Sequence, residues 1–131
     1  MKISLTLLVS FLSLQLFSQQ TEVKDTSVFD LNVKLIKVEV LPPFCGDLVW
    51  ALAQKFEVLE SNIELVKPKN IIVLIQPCPE FLGIGFFVKD KSYKVKVSQS
   101  SGAQFNYTII NHDLIKKNLS FWIRDIKLQA Q

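Results

Sequence analysis

The chain has 131 residues, of which 49% are hydrophobic and 11% aromatic, and a formal net charge of +3. That length supports one domain, and the apolar and aromatic content excludes a chain that stays disordered. The charge is too small to call for a polyanionic partner such as a nucleic acid.

Lys2 gives a basic start and Ile3 to Phe17 an apolar run, interrupted by Ser4, Thr6, Ser10, Ser13 and Gln15. A bilayer span takes about 20 predominantly apolar residues. This run is shorter, so residues 1–18 read as a signal peptide cut near Ser18 to Gln20, and the expected location is secreted or periplasmic. Loss of Lys2 lowers the charge to +2, fourteen basic residues against twelve acidic. Residues 19–27 read as a flexible lead-in and 28–131 as a single domain, with no transmembrane segment after cleavage. An exported chain with two cysteines predicts a disulfide between Cys45 and Cys78. Neither cysteine belongs to a CxxC pair, and the one histidine, His112, is remote in sequence, so a metal site or reactive thiol is the weaker alternative.

From Val28 to Leu41 the pattern is strand-like, with Leu31, Val33 and Leu35 on one face and then Ile36, Val38 and Val40. The change of phase between Leu35 and Ile36 predicts a bulge or bend in one long strand, which Pro42 and Pro43 end. Cys45 and Gly46 turn the chain into Leu48 to Leu59. As a strand, that segment puts Trp50, Leu52, Phe56 and Val58 on one face. As a helix capped by Asp47, it lines up Leu48, Leu52, Phe56 and Leu59. The clean alternation from Lys55 to Glu60 favours the strand. A polar loop follows to Lys69.

Ile71 to Ile75 is an unbroken, β-branched apolar run, the mark of a strand covered on both faces. Pro77 and Pro79 stop it, with Cys78 between them. After Phe86 and Phe87, the turn Lys89, Asp90, Lys91 leads into a half-covered strand, with Tyr93, Val95 and Val97 on one side and Lys94 and Lys96 on the other. Gln99 to Gln104 reads as an exposed turn. Phe105 to Ile110 alternates again, Asn111 to Leu119 fits a short helix with Asn111 as its cap, and Ser120 to Leu128 is a last strand. In that strand Trp122, Arg124, Ile126 and Leu128 oppose Phe121 and Ile123.

These elements predict an all-β domain with minor α content, a small barrel or sandwich of five to six strands with one short helix. The strand spacing from Val33 to Leu128, the Cys45-Gly46 turn and the Lys91, Ser92, Tyr93 turn resemble the OB-type barrel of secreted netrin-like modules, which include the amino-terminal domain of tissue inhibitors of metalloproteinases. The resemblance implies an OB-like fold. Those inhibitors carry a cysteine at the mature amino terminus and many disulfides, features this chain lacks.

The residues supply few means of catalysis. Nucleophilic chemistry needs a base beside the nucleophile, and His112 sits among capping residues at a turn. Glu39, Glu57 and Asp125 lie within apolar strand patterns, so a carboxylate-dependent hydrolase would draw on them. Gly83 and Gly85 form a GxG without the third glycine or following helix of a phosphate loop. Asn106-Tyr107-Thr108 and Asn118-Leu119-Ser120 match the glycosylation triplet. Lys89, Lys91, Lys94 and Lys96 form the candidate ligand-binding cluster, although lysines on a strand's outer side also guard against edge aggregation. The expected function is an exported, non-enzymatic binding module without a cofactor, whose partner is another protein or a surface ligand. An inhibitor or immunity-type protein acting on a secreted enzyme is the alternative, and a small carboxylate hydrolase the second.

Overall fold

The apolar run Ile71 to Ile75 opens a strand with a packed layer on each side from Ile72 to Ile75, whereas Ile71, expected to be covered, is exposed at the strand's start. The computed structural model describes residues 27–130. Its strands are β1 (Phe29–Leu35), β2 (Trp50–Ser61), β3 (Ile71–Pro77), β4 (Ser92–Ser98), β5 (Thr108–Ile110) and β6 (Ser120–Leu128), with one short helix, α1 (His112–Lys117), before β6. The proposed leader lies outside the described residues. Among those described, no helix is long and apolar enough to cross a membrane.

Pairing closes the sheet. β1 runs antiparallel to both β2 and β4, β2 antiparallel to β3, and β4 antiparallel to β6, while β3 and β6 pair in parallel. The ring β1-β2-β3-β6-β4 leaves no unpaired edge, which is how small barrels avoid edge-to-edge association. β5 adds a sixth strand, parallel to the start of β2. The fold is therefore a closed five-stranded OB-like barrel with one extra strand, the architecture that the resemblance to OB-type modules implied.

Alternate side chains fill the barrel: Leu31, Val33 and Leu35 from β1, Phe56 and Val58 from β2, Ile72 and Leu74 from β3, Tyr93, Val95 and Val97 from β4. The other face of β2 and β3 carries Ala51, Ala53, Val73 and Ile75. Two alanines leave room for β5 and α1 to lie close, and Ile109, Leu114, Ile115 and Trp122 cover this second layer. That explains a strand with no polar face. It also settles Leu48 to Leu59 as strand, because Trp50–Ser61 must pair with β1, β3 and β5 in turn.

Three other expectations are corrected. The long bent strand from Val28 to Leu41 stops at Leu35, where pairing with β2 and β4 gives out. Beyond it the chain leaves the sheet, and Val38, Val40 and Leu41 are exposed. The phase change marks that exit and not a bulge. The real irregularities lie elsewhere. Opposite Asn32 and Val33 the β2 register skips Leu59, which turns outward, and opposite Lys96 and Val97 the β6 register skips Arg124. The second skip brings Ile126 into the barrel beside Phe121 and Ile123, against the alternation expected for β6. Finally, the strand predicted over Phe105 to Ile110 forms only at Thr108–Ile110.

Between β3 and β4 the chain closes one end of the barrel. Leu82, Phe86 and Phe87 pack onto the core. The Tyr93 hydroxyl donates to Phe86 O and accepts from Val88 N–H, each at 2.8 Å. Its ring meets Phe56 edge-on at 6.3 Å.

Candidate functional site: two apolar loops joined by a disulfide

Two long connections meet at that closed end, residues 36–49 between β1 and β2 and residues 78–91 between β3 and β4. Pro42 and Pro43 lack the amide protons a ladder needs, so the first stays irregular. In the second, a 3-10 turn over Pro79–Leu82 begins with Pro at its first position. It ends at Gly83, whose φ of 94° and ψ of 158° lie in a region open almost only to glycine.

The predicted disulfide ties them together, with Cys45 and Cys78 joined at a Cα separation of 5.6 Å. Main-chain bonds reinforce it. Cys45 N–H donates to Glu80 Oε1 at 2.6 Å, Cys78 N–H to Trp50 O at 2.9 Å, and Trp50 N–H to the Cys45 sulfur at 3.3 Å. Cys45, Cys78 and Glu80 bring potential metal-ligand atoms within 4.8 Å of one another. Oxidation of both sulfurs removes the thiolates a metal would need.

What these braced loops present is apolar. Val40 is 85% exposed, Phe44 and Phe81 are each 81% exposed, and Ile84 is fully exposed, with Leu41 and Leu48 beside them in the same segments. Single exposed hydrophobes are ordinary, but a group of them on two fixed loops is the usual mark of a contact surface. A cleft of about 160 Å³ opens between the loops, lined by Leu41, Pro42, Phe44, Glu80, Gly83 and Ile84. Ionic side chains of the two connections nearly cancel, Lys37, Lys89 and Lys91 against Glu39, Asp47, Glu80 and Asp90.

The lysines singled out from the sequence divide into two places. Lys94 and Lys96 stand on the outer face of β4 and line a groove of about 540 Å³ across β1, β2, β4 and β6. Lys89 and Lys91 lie in the connection before β4 and do not line it. In the groove three lysines, Lys94, Lys96 and Lys127, meet three carboxylates, Asp30, Glu60 and Asp125, and no aromatic side chain is present to stack a ligand. Lys96 pairs with Asp30 at 2.8 Å, and Asn32 Nδ2 donates to Glu60 at 2.7 Å. A charge-balanced face without aromatics is not the surface on which OB-type barrels hold extended anionic ligands. The face those barrels commonly use, over their second and third strands, is here filled by β5 and α1.

The Lys96 hydrogen bond holds the Asp30 carboxyl below the ordinary carboxylate range, partly opposed by desolvation, and the same bond pushes Lys96 up. A depressed carboxyl stabilises the fold above its unfolded value, and that contribution is lost as pH falls through the lowered folded value. An NMR pH titration should find Asp30 titrating below a typical exposed aspartate, and Lys96→Met should raise it. An unchanged Asp30 in that variant would show that the pair does not persist in water.

The remaining candidates stay apart. Asp125 lines the groove, whereas Glu39 and Glu57 do not, being paired with Lys37 at 3.7 Å and Lys34 at 2.9 Å. His112 is exposed at the start of α1. Asn106 is exposed, while Asn118 donates its side-chain amide to Leu114 O at 2.9 Å. Sequence reasoning misses the loop surface because Val38, Val40 and Leu41 continue the strand-like pattern of β1 past its end at Leu35. The available hint was a cluster of apolar residues around two prolines, where no ladder could form.

No model of a known protein family matches this chain, and a search of curated proteins likewise finds no match.

Proposed function

We propose that this protein is an exported, non-enzymatic binding module that engages an apolar partner surface through the disulfide-joined loops at the closed end of its barrel. The observation that carries this reading is the exposure of Val40, Phe44, Phe81 and Ile84 on two segments held by a covalent bond and three hydrogen bonds. Ordering loops on binding costs about 0.5–1.5 kcal/mol for each immobilised side chain, and bracing them beforehand removes part of that cost. Export is supported by the leader-like start of the sequence and by the disulfide, which persists in oxidising compartments.

The test sets one surface against the other. In capture experiments from the medium or envelope of the exporting cell, Phe44→Asp with Ile84→Asp should abolish recovery of partner, and Lys94→Glu with Lys127→Glu should leave it intact. The opposite pattern would move the binding surface to the groove on β4.

A further inference from the structure

The loop surface holds both a hole and a knob. The hole is the 160 Å³ cleft between the loops, walled by Leu41, Pro42, Phe44 and Ile84. An apolar cavity of about 150 Å³ is large enough to take a benzene ring. The knob is Phe81, which projects from the 3-10 turn into solvent and does not line the cleft. A ring on one copy and a ring-sized apolar recess on another can be exchanged reciprocally across a two-fold axis, the form an isologous contact takes.

We infer that the partner of this surface is a second copy of the same chain, with Phe81 of each copy seated in the cleft of the other. This rests on the reading under Proposed function and names its partner. The area is adequate: Val40, Leu41, Phe44, Leu48, Phe81 and Ile84 together expose on the order of 800 Å², the usual contribution of one partner to a stable interface. The near balance of charge on the two connections gives no preference for an oppositely charged partner or an anionic lipid surface, and imposes little repulsion on like copies.

The experiment combines sedimentation equilibrium of the purified, disulfide-bonded protein with photo-crosslinking from benzoylphenylalanine placed at position 81. A reversible dimer is expected, with the crosslink joining position 81 of one copy to the 41–44 or 83–84 segment of the other. Phe81→Asp, a change at an exposed position that should leave circular dichroism and the disulfide intact, removes two central rings per dimer and should weaken association on the order of a thousandfold. A monomer at every concentration overturns the inference. If position 81 of that monomer then crosslinks to a different protein, or the monomer binds phosphatidylcholine vesicles and Phe81→Asp abolishes it, the loop surface stands and only its occupant changes. A monomer that does neither sinks the loop surface as well. A dimer that survives Phe81→Asp but is lost in Lys94→Glu with Lys127→Glu overturns both readings.

Discussion

Replacing Cys45 and Cys78 together by alanine is expected to lower the free energy of unfolding by about 3–4 kcal/mol. The two residues are separated by 33 positions, and cross-linking a loop of that size removes roughly this much chain entropy from the unfolded state. For a domain of this size the melting temperature should fall by about 15–25 °C. The barrel should still form, because none of its strand pairings runs through the sulfur atoms and Glu80 and Trp50 keep their bonds to the Cys45 and Cys78 amides. Urea unfolding of the oxidised protein and the double variant measures the difference. Hydrogen exchange should show the loss of protection concentrated at residues 45 and 78, with β3 and β4 keeping their rank. A loss of under about 1 kcal/mol, the size of an ordinary surface change, would mean that the cross-link does not constrain the unfolded chain as its position implies.

Tyr93→Phe is expected to cost about 2–4 kcal/mol at neutral pH although it removes one oxygen atom. The ring contacts with Phe56, Phe86 and Phe87 survive. The hydroxyl bonds to Phe86 O and Val88 N–H do not, and an orphaned buried polar group costs about 1–3 kcal/mol. The same hydroxyl gives a pH signature. Burial pushes the phenol above its ordinary value, partly opposed by the Val88 N–H bond. The folded state therefore holds the phenol's proton where the unfolded state has released it. This contribution is complete below the unfolded value and is lost as pH rises through the raised folded one. Wild-type stability should begin to fall near pH 10, the ordinary tyrosine range, and Tyr93→Phe should lack that share of the decline. Identical alkaline slopes in the two proteins would remove Tyr93 from this role.

Much of the fold was legible because each strand advertises its own environment. Tyr93, Val95 and Val97 alternate with Lys94 and Lys96, and the structure buries the first three and exposes the lysines. The run from Ile72 to Ile75 has no polar phase, and it lies between the barrel interior and the layer under α1. The disulfide followed from two cysteines in a chain that begins like an exported one. Other features depended on partners that local pattern does not contain. Alternation in β6 places Arg124 and Ile126 on one face, and only the register against β4 reveals that Arg124 is skipped and Ile126 enters the core. Four lysines within eight positions look like one cluster, yet the connection into β4 carries Lys89 and Lys91 to a separate place while Asp30 engages Lys96.

The candidate site shows the division most sharply. Composition and periodicity determined that the chain would curl into sheet and that sulfur could join residues 45 and 78, because strand preference and bond formation are set by the residues themselves. Whether Val40, Phe44, Phe81 and Ile84 would be inside or outside was decided by tertiary structure alone. An apolar side chain is buried only where another element can cover it, and at the closed end of this barrel Leu82, Phe86 and Phe87 already occupy the available core, leaving those four side chains in water.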